Sequence, residues 1–195
     1  MLLGLHAGDG WVSDEWGLAL ARNDRTMLRE VVSLCRNVLG VEPFISQKVD
    51  YSVSIRSGQP QVKAFFIHYG FPRGKKARIV RVPRAILETE DIGVVRSFLK
   101  GLFSADGCFS HRRRQASCVL SVSSLDLRDG FINLSAKIGF NFHAYSYTHT
   151  YGHNKVPLNL AYLGRKSEVF RWMTEVGSMK DSHIAKFHEW EKLLS

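Results

Sequence analysis

Leu99-Lys100-Gly101-Leu102-Phe103-Ser104-Ala105-Asp106-Gly107 decides the reading of this chain, because the chain carries it twice. Leu2-Leu3-Gly4-Leu5-His6-Ala7-Gly8-Asp9-Gly10 repeats its leucines, its small residues and its closing Asp-Gly. Asp9 and Asp106 are 97 residues apart in a chain of 195, so the shift is about half the molecule. Self-similarity at that scale predicts two copies of one structural unit.

The likeness continues past the motifs. Residues 11–21 and 108–123 have strand character. Residues 24–39 and 124–138 have helical periodicity and stop at Gly40 and Gly139. Two more strand-like runs follow in each half, 43–57 with 61–69 and 141–150 with 155–163. Each half ends in a helical segment, reaching Leu87 and Leu194. The expected fold is therefore α+β, an αββαββα unit repeated over 1–90 and 91–195, with antiparallel sheets.

Within each motif small residues recur four apart, Gly4 with Gly8 and Gly101 with Ala105. That spacing puts them on one helix face, where they let two backbones approach closely. The two motif helices are expected to pack on each other, with the following Gly as a C-terminal stop. Asp9 and Asp106 would then meet at one spot, near the negative ends of two helix dipoles. Like charges there raise a pKa or push the helices apart. A divalent cation resolves the conflict, since carboxylates, water and a substrate phosphate are the usual Mg2+ ligands.

The formal net charge is +9, which suggests a polyanionic partner. Positive charge sits in two blocks: residues 48–84 hold nine Lys or Arg and one acid, and residues 107–166 hold eight and two. A sheet with one face on a core and the other basic and polar suits a DNA groove. The candidate DNA contacts are Arg22, Lys48, Arg56, Gln61, Lys63 and Lys75 in the first half. In the second they are Arg112, Arg113 and Arg114 at a hairpin tip, with Ser124, Tyr145, Tyr147, His149 and Lys155. Trp11, Trp16, Trp172 and Trp190 read as core and interface packing.

With both motifs in view, the chain resembles the LAGLIDADG homing endonucleases of the single-chain, double-motif type. The resemblance implies a pseudo-twofold pair of repeats forming a DNA-binding saddle. It implies a site-specific double-strand DNA endonuclease, with Mg2+ (Mn2+ or Ca2+ as substitutes for binding) at the motif seam and short 3′ overhangs left by the cut. Asp9 and Asp106, beside Gly8 and Ala105, would form the metal site. The segment Gly70-Phe71-Pro72-Arg73-Gly74-Lys75-Lys76 resembles the family's lysine-bearing stretch, which makes Lys76 catalytic, and Lys180 holds the comparable place in the second half. The junctions Arg22-Asn23 and Ser123-Ser124 lack the Gln or Lys often found there. His6 and Gly8 depart from the usual motif and read as packing changes.

One chain with both motifs is expected to act as a monomer on a long pseudo-palindromic duplex. The alternative is a DNA- or RNA-binding protein on the same fold without cleavage, such as an intron maturase or regulator. An intein is disfavoured, since the chain ends in Leu194-Ser195 rather than His-Asn. The start lacks the pattern of a secretory signal and no apolar run reaches about 20 residues, so a cytoplasmic protein is expected, with Cys35, Cys108 and Cys118 as reduced thiols.

Overall fold

The computed structural model describes residues 1–21, 24–47, 52–151 and 154–194. The candidate residues Arg22 and Lys48, and Asn23 beside the first, lie outside them. The first half runs α1 (Leu2–Asp9), β1 (Gly10–Val12), β2 (Trp16–Ala21), α2 (Arg25–Leu39), β3 (Phe44–Gln47), β4 (Ser52–Ser57), α3 (Pro60–His68) and α4 (Arg84–Glu88). The second runs α5 (Ile92–Asp106), β5 (Gly107–Arg112), β6 (Gln115–Val122), α6 (Leu125–Lys137), β7 (His143–Tyr151), β8 (Asn154–Leu163), α7 (Lys166–Glu175) and α8 (Asp181–Lys192). Each half builds one antiparallel four-stranded sheet, ordered β1-β2-β4-β3 and β5-β6-β8-β7. The same strand order in both sheets is the repeat expressed in three dimensions. No helix among the described residues is long and apolar enough to cross a membrane.

The periodicity expected for both long internal helices holds. Helix α2 buries Met27, Val31 and Cys35 at helical spacing and stops at Gly40, which sits at φ 64° where a side chain would be strained. Helix α6 starts at Ser124, whose hydroxyl accepts from Leu127 N.

One expected strand is a helix. Residues 61–69 lie in and just past α3, and both of the first half's later strands come from 43–57. Pro60 occupies the first turn, where its missing N–H costs nothing. Val62 and Phe66, four apart, turn one face of that helix to the core. Gln61 and Lys63 therefore do not line a sheet. The Gln61 amide donates to the Gln59 side chain, and Lys63 Nζ reaches Asp14 O at 2.6 Å.

The helices cover one side of each sheet, and aromatic residues fill the space between. Trp172 is fully buried beside Phe103, Phe131, Phe140 and Phe142, at ring separations of 4.8–5.6 Å. In the first half Trp16 stacks on Phe66 at 5.1 Å, and Trp190 is as buried as the other two. Trp11 lies over Gly17, where an added Cβ would strike its ring. The tryptophans are packing residues, as expected.

Candidate active site at the helix seam

Helices α1 and α5 pack against each other along their length. The small residues are what permit it. A Cβ added at Gly4 would fall 2.1 Å from Phe98 O, and one at Gly101 would fall 2.2 Å from Met1 O. Near the C-terminal ends, a Cβ at Gly8 would lie 2.4 Å from the Ala105 Cβ and 3.0 Å from Asp106 Oδ2. The Asp106 carboxylate therefore reaches across the seam to the other motif.

Gly10 and Gly107 are not left-handed helix stops. Both are extended, at φ −83° and −81°. They are glycines for lack of room: a Cβ at Gly10 would strike the His6 ring, and one at Gly107 would strike Phe103. The residue four positions earlier folds back over each helix end, so the chain leaves directly into β1 and β5.

His6 is the first motif's counterpart of Phe103. It is fully buried, stacks on Phe66 at 4.2 Å and accepts through Nδ1 from Trp16 Nε1 at 3.0 Å. Burial, with the nearby Lys76 charge adding to it, lowers its pKa to about 3. It is a neutral ring in a core, the packing role expected of it.

Each acid has a lysine beside it. Lys76, 8% exposed, donates from Nζ to Ala7 O at 2.6 Å and Gly8 O at 2.5 Å. Lys180 donates from Nζ to Ala105 O at 2.7 Å. The two ammonium groups thus cap the last carbonyls of the two motif helices, where a cation is favoured by the dipole. The seam is not left without positive charge, as the acids taken alone suggest. The compensation is incomplete. Burial, followed by the Asp9 charge, raises the Asp106 pKa to about 6 despite both lysines. Burial also raises Asp9 and lowers Lys76.

The lysines are held from the opposite half. Lys76 opens a turn that ends at Val80. Ser124, at the start of α6, donates to Val80 O at 2.5 Å. Ser124 is 1% exposed and its oxygen also accepts from Leu127 N. The hydroxyl expected to contact DNA is spent on fixing the Lys76 turn. At the other lysine, Asp24 stands before α2 as Ser124 stands before α6. Asp181 Oδ2 accepts from Thr26 N at 3.2 Å, and the Asp24 carboxylate lies beside the Asp181 backbone. Asp181, at the start of α8, thus caps the N-terminus of α2. Behind Lys180, the Ser104 hydroxyl accepts from Met179 N at 2.8 Å, and Ser178 meets the buried His183 Nδ1 at 2.9 Å. Asp24, Ser104 and His183 are not among the residues that the sequence pattern singles out. An acid placed directly before a helix was the signal available for Asp24.

A cleft of about 170 Å³ opens beside the seam, lined among others by Gly8, Lys76, Asp106, Ser121 and Leu158. No group of three or more His, Cys, Asp or Glu is arranged to hold a metal among the described residues. The donor set is instead two carboxylates and helix-terminal carbonyls. That set fits a hard cation completed by water and phosphate rather than one needing nitrogen or sulfur. Two things at the seam agree with it, a carboxylate with its pKa raised and oxygen donors only, while Lys76 and Lys180 already occupy the Gly8 and Ala105 carbonyls.

The remaining candidates are scattered. Arg112 pairs with Gln115 across the β5–β6 turn, Arg113 sits at φ 55°, and Arg114 donates to Leu193 O at 3.1 Å. These four residues frame an exposed basic cleft. Arg56 is engaged within the molecule, with Glu15 at 3.0 Å and Ser46 at 3.2 Å. Lys75 is exposed in the turn before Lys76. Tyr145 and Tyr147 are half exposed on β7, with His149 beyond them. Lys155 pairs with Thr150, which puts it on the opposite side of the ribbon from Tyr145, Tyr147 and His149.

Residues 93–171 match the LAGLIDADG-like domain family. The whole chain has the double-motif LAGLIDADG fold. It superposes on the homing endonuclease I-DmoI, solved in complex with DNA and Mn, at a TM-score of 0.61 and 14% identity, covering 90% of this chain and 93% of that one. I-SmaMI, a meganuclease bound to uncleavable DNA, gives 0.59 and 11%, covering 99% and 89%. The N-terminal LAGLIDADG domain of DUF199/WhiA gives 0.60 and 14%, covering 90% and 80%. Among curated proteins, an A-type ATP synthase protein of Pyrococcus abyssi is 30% identical over 122 residues, 63% of this chain and 12% of that protein. A probable translation initiation factor IF-2 of Methanocaldococcus jannaschii is 29% identical over 118 residues, 60% and 10%. The chain thus spans about a tenth of the length of these curated relatives.

Proposed function

We propose that the chain is a site-specific DNA endonuclease that hydrolyses one phosphodiester in each strand at the α1–α5 seam. The observation that carries the reading is that Lys76 and Asp106, one from each repeat, line one cleft at the seam, with the charges of Asp9 and Lys180 near enough to act on Asp106. The repeats are residues 1–90 and 91–195. A single chain holds both acids, so a monomer suffices. The two sheets turn their uncovered faces to the duplex, and the repeats differ in the side chains they present, so the long target is only partly symmetric.

Asp9 and Asp106 would hold Mg2+, joined by the carbonyls of Gly8 and Ala105 once the Lys76 and Lys180 ammonium groups that occupy them turn to the phosphate. When bound, the ion supplies an activated water and neutralises charge on the phosphate. The chain's own residues do the rest. Lys76 and Lys180 each bring an ammonium to a motif helix end, where it donates to a phosphate oxygen and favours the charge that grows on it. Ser124 and the Asp24–Asp181 pair fix the segments that carry those lysines, so little reorganisation is needed during the reaction. Both strands are cut, leaving short 3′ overhangs.

The test is cleavage of a library of random duplexes with Mg2+, against the same reaction with EDTA. Asp9→Asn and Asp106→Asn are each expected to abolish strand breaks while duplex binding persists. Full activity in either variant refutes the shared site. Tight binding with no break under any divalent metal favours the binding-only alternative.

A further inference from the structure

We infer that the uncovered face of the β5-β6-β8-β7 sheet recognises thymine methyl groups in the major groove of the half-site under the second repeat. The inference rests on the DNA reading above.

Residues paired across antiparallel strands share a face. Tyr145 pairs with Leu160 and Tyr147 with Leu158, while Val119 pairs with Tyr162. Those six side chains therefore form one surface. The helices cover the other side, which carries the buried Asn159, Ala161 and Leu163. Tyr145 and Tyr147 are 55% and 51% exposed, and Tyr162 meets Tyr145 edge-on at 6.2 Å. This is an apolar and aromatic surface where the charge of the chain predicts a basic and polar one.

The polar side chains that share this face are Ser117 and Ser121 on β6 and His143 and His149 on β7, and the larger amide and guanidinium groups near its middle point the other way. Asn159 faces the helix side and is spent on Ser123 O at 3.1 Å and the Ser146 hydroxyl at 2.8 Å. Arg128, beneath the sheet, is spent on Asp129, Tyr145 O and Ser146. Among the described residues the uncovered face carries no acid, and its one Arg or Lys is Arg112, at the tip. Guanine is read by Arg or Lys, adenine by Asn or Gln, and cytosine by an acid. None of these stands in the middle of the face. Ser121 also stands there, but a serine hydroxyl bonds either kind of base and so selects none; the base edge that the leucines, Val119 and the tyrosine rings select is the C5 methyl of thymine.

Two observations make DNA the occupant rather than another protein. The face is continuous with the catalytic cleft, because Leu158 and Ser121 line both. Its far end carries Arg112, Arg113 and Arg114 with no acid among them, as a phosphate backbone requires. The β7–β8 ribbon is 9 and 10 residues long, and a two-stranded ribbon enters a major groove about 12 Å wide.

The prediction is a thymine-rich stretch in one arm of the target, between the cut and the outer phosphates. Duplexes retained by the full-length Asp106→Asn chain from a random pool give the site. Deoxyuridine, which lacks only the methyl, then replaces thymine in each arm in turn, and Kd is measured. In one arm each replacement is expected to weaken binding about fourfold per methyl covered. Leu160→Ala and Tyr147→Ala, tested separately, should each erase the discrimination in that arm alone. A selected site with guanine or cytosine throughout both arms overturns the inference. So does equal affinity for the thymine and deoxyuridine duplexes, and in both cases the DNA reading survives. Retention of no duplex at low salt overturns both.

Discussion

Asp106 is the residue on which pH acts most directly. Its pKa is about 6 in the folded chain against an ordinary 3.8. Between those values the folded protein keeps a proton that the unfolded chain has released, so its contribution to stability is present in acid and lost as pH rises through about 6. His183, lowered to about 4, and His6, lowered to about 3, act in the opposite sense. Both are neutral in the fold, and the stability they contribute is lost as pH falls below 6.5. A cation at the seam needs the carboxylate, so its binding must displace the Asp106 proton in acid. Calorimetric titration with Mg2+ should therefore show constant affinity above pH 7 and a fall of about tenfold per pH unit below 6. Asp106→Asn should remove the dependence along with most of the binding. Affinity that is flat from pH 5 to pH 8 in the unsubstituted protein would exclude Asp106 as a ligand. The two acids were legible because each closes a repeated motif. Asp24 and Ser104 were not, because what matters in them is an oxygen aimed at a segment from far along the chain.

At the scale of elements, the α1–α5 seam is a contact between backbones. The Gly4 position leaves no room for even one methyl, since the obstacle is the Phe98 carbonyl rather than a flexible side chain. Gly4→Ala should therefore cost about 1–3 kcal/mol and lower Tm in thermal unfolding. Because it also moves Asp9 relative to Asp106, activity should fall further than the unfolded fraction explains. A stable and fully active Gly4→Ala protein would mean that the helices can part without consequence. The seam was legible from the four-residue spacing of small side chains. The glycine after each acid was legible as a requirement but not for its reason. The residue it makes room for, His6 or Phe103, folds back only once the core is packed. Residues 61–69 misled because their alternation looked like a strand, while Pro60 and the spacing of Val62 and Phe66 favoured a helix more strongly.

For the whole molecule the proposed DNA binding raises the question of which charges meet the phosphates. The +9 of the sequence is an upper guide, because many of the cations are already occupied. Arg36 is paired with Glu42, Arg56 with Glu15, Arg84 with Glu88, Arg96 with Glu175 and Arg128 with Asp129. Arg112, Arg113 and Arg114 have no ion-pair partner among the described residues and stand together at an exposed tip. If the chain binds DNA through defined contacts, these three release counterions and the paired arginines do not. The slope of log K against log salt should then fall in magnitude by about 0.9 for each phosphate contact removed. Replacing all three with alanine should lower it by about 3 on that rule. Arg36→Ala and Arg84→Ala change net charge by the same unit each, yet should leave the slope where it was. Equal losses at paired and unpaired positions would show that the protein acts as a diffuse positive body. The repeated sheets would then have no fixed register on the duplex, and the cut proposed at the seam would have to be placed by some other contact.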